Sequence, residues 1–211
     1  MLTTLFYSLF ALDQTLANMA GQYGPWIYAL LFLVIFAETG LVVFPFLPGD
    51  SILFLSGTVV ATAGLNAHVL VLVLIAAAIL GDSVNYAVGH YIGPRVFDKP
   101  DSRWFRQEHL RRTQAFYDRY GGLTIIIGRF IPIIRTFAPF LAGVAGMSYH
   151  RFLSFNVVGA VMWIGSLVYA GFLFGNIPWV KQNLSLIVIG IVIVSLIPAI
   201  ATFVKEHRRH S

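Results

Sequence analysis

Cysteine is absent from all 211 residues. That excludes disulfides, thiolate metal sites and cysteine nucleophiles. Charge is scarce as well: charged residues make up 11% of the chain, against about a quarter in an ordinary soluble domain. Lys and Arg are missing altogether before Arg95, where the formal charges are Asp13, Glu38, Asp50 and Asp82. No Gly-x-Ser-x-Gly elbow and no glycine-rich nucleotide loop occurs, and Ser51 and Ser56 have no histidine beside them. The six histidines are scattered without metal-ligand spacing. These absences predict a protein that is not an enzyme and holds no metal and no cofactor.

What the chain has instead is hydrophobicity, 58% of its residues. The expectation is an all-α polytopic membrane bundle, a single integral membrane domain over 1–211. The net charge is +5, and every Lys and Arg lies at Arg95 or beyond. A positive balance confined in this way suits anionic lipid headgroups on one membrane face, not nucleic acid.

Residues 1–20 repeat leucine at Leu5, Leu9, Leu12 and Leu16, near the helical period, and read as a surface amphipathic helix or a short tilted span. With no basic residue before the apolar stretch, a cleaved signal peptide is not expected. After Gln22-Tyr23-Gly24-Pro25, an apolar run from Trp26 to Val43 is interrupted only by Glu38 and Thr39. Phe44-Pro45-Phe46-Leu47-Pro48-Gly49-Asp50-Ser51 then breaks it, and Ile52 to Ala63 is too short for a second crossing. A re-entrant hairpin, broken at Pro45, Pro48 and Gly49, accounts for both halves.

His68 to Ile92 reads as a spanning helix. Ala77, Gly81, Asn85, Gly89 and Gly93 recur every fourth residue, a small-residue face for close packing. Residues 95–120 form the long polar stretch, with seven Lys/Arg and interleaved aromatics. It is expected to be a cytoplasmic amphipathic loop by the positive-inside rule. A second broken hairpin follows over 121–147, then spans from Arg151 to Phe174 and from Leu184 to Val204. The basic tail Lys205-Glu206-His207-Arg208-Arg209-His210 returns to the cytoplasmic side.

The two hairpins are preceded by Tyr23-Gly24 and Tyr120-Gly121 and each is followed by a span. One span separates them, so they enter from opposite faces. That is the inverted repeat of many secondary transporters, whose broken helices meet near the midplane.

Chemistry concentrates at the breaks. In Gly128-Arg129-Phe130-Ile131-Pro132-Ile133-Ile134-Arg135-Thr136-Phe137-Ala138-Pro139, six positions separate two arginines, one for each side of a break at Pro132, with Pro139 expected as a further helix break. Charges at membrane depth face a protein interior or a wet cavity and mark binding sites or pathways. Glu38 and Asp50 are expected to face Arg129 and Arg135 across the pseudo-twofold. The arginines would take a lipid phosphate, and the acids would hold them or carry a proton. Asp82 is an accessory candidate, with a helix–helix hydrogen bond as the equal alternative. Asn85, Tyr86 and Asn156 read as packing partners, and Trp26, Trp163 and Trp179 as interface or core residues.

These motifs, with Glu38-Thr39-Gly40, Gly81-Asp82-Ser83-Val84-Asn85-Tyr86, Ala142-Gly143 and Gly159, resemble the DedA family of bacterial inner-membrane proteins and the related VTT-domain (SNARE-associated Golgi protein) group. The resemblance covers roughly residues 20 to 180, with a core at 22–180. It implies lipid handling: flipping or scrambling of undecaprenyl phosphate or a phospholipid, coupled in some members to protons, in support of envelope integrity. It also places the family's acidic pair on Glu38 and Asp50 and its arginine pair on Arg129 and Arg135. The expected partners are membrane lipids with anionic headgroups and protons, with a homo-oligomer left open. The expected location is the bacterial inner membrane, multi-pass, with a cytoplasmic C-terminus. The alternatives are a structural or assembly membrane protein, and a small-ion or drug/proton antiporter.

Overall fold

The computed structural model describes residues 24, 26–40, 49–97, 115, 117, 120–175, 177–182 and 190. The expected N-terminal helix, the break at Phe44 to Pro48, most of the 95–120 loop and all of the last span but residue 190 lie outside the described residues.

Among the described residues all regular structure is helical: α1 (Trp26–Gly40), α2 (Gly49–Thr62), α3 (Ala67–Phe97), α4 (Leu123–Gly128), α5 (Pro132–Val144), α6 (Tyr149–Phe174) and α7 (Pro178–Gln182). Ala67–Gly93 within α3, and Tyr149–Phe174, are long and apolar enough to cross a membrane. The other helices, of 15 residues or fewer, fall short of the roughly 20 residues a crossing needs.

Local sequence sets these boundaries. Asn66 caps α3, its side-chain oxygen accepting from the amides of His68 (2.9 Å) and Val69 (3.2 Å). Helix α3 runs on to Phe97, past the expected stop at Ile92. Pro94 removes one intrahelical donor, and a helix can continue through that loss with a kink. Between α4 and α5 the chain is broken: Ile131 is extended (φ −120, ψ 109) and Pro132 opens α5. Proline is preorganised for a first helical position, where no intrahelical bond needs its N–H.

The chain divides into two compact units, one of 1–34, 48–75 and 164–211, the other of 35–47 and 76–163. In the first, α2 packs its backbone directly on that of α6. A Cβ on Gly57 would overlap the Val168 carbonyl, and one on Gly171 the Phe54 carbonyl. The Thr58 hydroxyl donates to the Gly171 carbonyl at 3.1 Å. His68 Nδ1 meets the Tyr169 hydroxyl at 2.6 Å.

In the second unit the small-residue face of α3 meets the end of α1 at Gly81 and Gly40, and α5 at Gly89 and Gly93. Tyr86, Tyr117, Ile125, Ala142, Met147 and Phe152 form its apolar core. The Tyr117 hydroxyl donates to the Ala138 carbonyl at 2.7 Å. Burial pushes that phenol's pKa up, so it stays a neutral donor.

Candidate functional site: a buried arginine cluster

Arg129 is the residue that ends α4, and Arg135 stands one turn inside α5. The break between them lets the two side chains leave separate helices. Both are buried, as are Glu38, Asp82, Asn85 and Asn156, none of the six more than 5% exposed.

Arg135 Nη2 donates to Glu38 Oε1 in the last turn of α1. Arg129 Nη2 donates both to Asp82 Oδ2 on α3 and to Asn156 Oδ1 on α6. Two guanidinium and two carboxylate groups balance in charge. Burying an ion without its partner costs several kcal/mol after relaxation, so these charges have to arrive in pairs.

Asn85 holds one pair in register. Its amide donates to the Thr136 carbonyl at 2.7 Å and to the Thr39 carbonyl at 3.5 Å, the residues next to Arg135 and Glu38. The other support is a stripe on α6. Asn156, Gly159 and Trp163 follow at spacings of three and four, which puts them on one helical face. Gly159 leaves room for the Arg129 stem: a Cβ there would stand 3.0 Å from Cδ and 3.1 Å from Nε. Trp163, itself buried, lies under both cations, its ring centre 4.5 Å from the Arg135 guanidinium carbon and 5.8 Å from that of Arg129. A tryptophan face attracts cations at such distances, by about 2 kcal/mol or more where water is excluded.

Arg129 is not saturated. Its Nε and Nη1, the Oδ1 of Asp82 and the Oδ1 of Asn85 are buried with no hydrogen-bond partner among the described residues. The arrangement therefore offers donors, inside a charge-neutral cluster, to a group with several acceptor oxygens.

Of the residues singled out in the sequence, the second unit brings together Glu38, Asp82, Arg129 and Arg135. Asp50 belongs to the first unit, in the first turn of α2 and half-buried. The acid on Arg129 is Asp82, and Asn156 and Trp163, read as packing and core residues, touch the guanidinium groups directly. Trp26 and Trp179 are exposed. The spacing Asn-x-x-Gly-x-x-x-Trp, which puts the three on one helical face, was the available signal for the α6 stripe.

The VTT domain model matches residues 47–173. The chain is 48% identical to "Protein DedA" of Escherichia coli (strain K12), over 93% of this chain and 91% of that protein. The chain belongs to the DedA family. It is also 34% identical to the Inner membrane protein YqjA of Escherichia coli (strain K12), over 84% of this chain and 80% of that one. To the Inner membrane protein YghB of the same strain it is 32% identical, over 74% and 72%. No solved structure matches. Family membership and two membrane-capable helices make this DedA-family chain a membrane protein.

Proposed function

We propose that this chain moves a phosphate-bearing lipid, undecaprenyl phosphate or a phospholipid, between leaflets of the bacterial inner membrane. The observation that carries this reading is Arg129, buried at a helix break with Nε and Nη1 lacking partners among the described residues. Guanidinium donors in a rigid fork match phosphate oxygens. Arg135 adds a second positive charge against the same tryptophan, and Glu38 holds it in place. Glu38 and Asp50 serve as proton carriers if transport is coupled.

The same reading takes the α4–α5 break as the tip of a re-entrant hairpin and the 44–51 break as its inverted counterpart, within one membrane domain over 1–211. The 95–120 loop and the C-terminus are cytoplasmic, and the work is transport without catalysis. The Arg135–Glu38 pair favours a second reading, a structural bundle whose ion pairs serve only its own fold. Purified protein in liposomes, assayed for leaflet-resolved movement of each candidate lipid, separates the two. Transport above empty liposomes is expected, and none with any lipid at any pH tried would end the proposal.

A further inference from the structure

We propose that Asp82 is an internal competitor for the anion at Arg129, a carboxylate that occupies the guanidinium between transport events and is displaced when a phosphate arrives. This rests on the lipid-phosphate reading and assigns a role within it to a residue outside the paired hairpins.

A guanidinium offers two bidentate faces, one formed by Nε and Nη2 and the other by Nη1 and Nη2. In this structure Nη2, the nitrogen common to both faces, carries both bonds, one to Asp82 Oδ2 and one to Asn156 Oδ1. Neither Nε nor Nη1 has a partner among the described residues, and neither does Asp82 Oδ1.

A pair kept only for stability would close one face with both carboxylate oxygens. Buried polar atoms are nearly always satisfied, and each one left open carries a desolvation penalty. Three open atoms on a single ion pair mark it as half-made. A phosphate has more acceptor oxygens than Asp82 uses and can engage Nε or Nη1 as well as Nη2. Asn156, a neutral acceptor, keeps the guanidinium oriented while the charged partner changes. Gly159 and Trp163 fix the stem and one face of the cation, so the exchange is confined to the donor edges.

The discriminating variant is Asp82→Asn, nearly identical in volume but without the competing charge. Detergent-solubilised full-length protein is titrated calorimetrically with hexyl phosphate and, separately, with inorganic phosphate. Thermal unfolding of each variant without ligand checks that it is folded. The expected result is binding tighter in Asp82→Asn by roughly tenfold or more, the equivalent of one hydrogen bond to a charged group. Lipid turnover in liposomes should fall in the same variant, because release has lost its displacing carboxylate. Tightening confined to the alkyl ester identifies a lipid headgroup, and equal tightening for inorganic phosphate a free anion; competition holds in both.

Should Asp82→Asn fail to fold, Asn156→Asp tests the same idea with the opposite sign. A second internal carboxylate on Nη2 should weaken phosphate binding by about tenfold. Wild type that binds phosphate, with equal or weaker binding in folded Asp82→Asn, overturns the competitor and leaves the lipid-phosphate reading standing. The same holds for unchanged affinity in Asn156→Asp. No binding by wild type or by either variant overturns both.

Discussion

Removing Arg135 alone takes away the guanidinium that pairs with the buried Glu38 carboxylate, and removing Glu38 alone takes away the carboxylate that holds Arg135. Breaking a buried pair from one side costs about 3–5 kcal/mol, whereas replacing both charges by neutral groups is often tolerated. Arg135→Gln and Glu38→Gln should therefore each lower membrane abundance and the thermal unfolding midpoint. The double variant should recover part of both losses. Abundance and midpoint in the double variant at or below the worse single variant would contradict the pairing. The charged residues were conspicuous in the sequence because Glu38, Arg129 and Arg135 stand in apolar surroundings. Which acid meets which arginine was not legible, since that depends on how α1, α3 and α6 present their faces. Asp82 is 47 positions from Arg129, and nothing local in either segment announces the contact. Trp163 was hidden for another reason: in a chain rich in aromatics, one more buried ring on a spanning helix looks like ordinary core.

At the scale of elements, the fourth-residue repeat of small side chains on α3 was the most readable feature. In the structure a Cβ on Gly81 would overlap the end of α1, and one on Gly93 would crowd Val144 of α5. A Cβ on Gly89 would overlap the Phe140 carbonyl, whereas one on Gly165 of α6 meets nothing within 4 Å. Gly89→Ala should lower the unfolding midpoint, with an overpacking cost of about 1–3 kcal/mol. Gly165→Ala should leave the midpoint unchanged or raise it slightly, as alanine is the better helix former. Equal effects of the two substitutions, read by thermal unfolding in detergent, would contradict the close packing of α3 on α5. The break at Pro132 was legible from that proline and the six-residue spacing of the arginines. Pro139, also expected to break the helix, lies inside α5, where the missing donor is absorbed by the neighbouring turns. Helix ends were less legible: the span was expected to stop at Ile92, yet α3 runs to Phe97, because the single donor missing at Pro94 does not dissolve a turn held by its neighbours.

For the whole molecule, the uneven charge distribution has a topological consequence. Lys and Arg begin at Arg95, and the rule that basic loops stay inside predicts a cytoplasmic 95–120 and a cytoplasmic tail. In the proposed topology the Leu65-Asn66-Ala67 turn faces the periplasm. The chain contains no cysteine, so Asn66→Cys and Leu110→Cys can be probed singly with a membrane-impermeant thiol reagent on intact cells. Labelling at 66 and protection at 110 are expected, and labelling at both contradicts the topology. The central claim, that Arg129 holds a lipid phosphate, is tested most directly by Arg129→Lys. Lysine keeps the positive charge but lacks the planar multi-donor fork. It would forfeit bonds to a charged partner worth about 1.5–3 kcal/mol each, roughly tenfold to over a hundredfold in affinity. The measurement is the rate of leaflet-to-leaflet movement of the transported lipid in liposomes carrying equal amounts of folded wild-type or Arg129→Lys protein. A loss of at least about tenfold is expected at subsaturating lipid, with folding and reconstitution intact; wild-type transport by Arg129→Lys would show that Arg129 does not hold the phosphate.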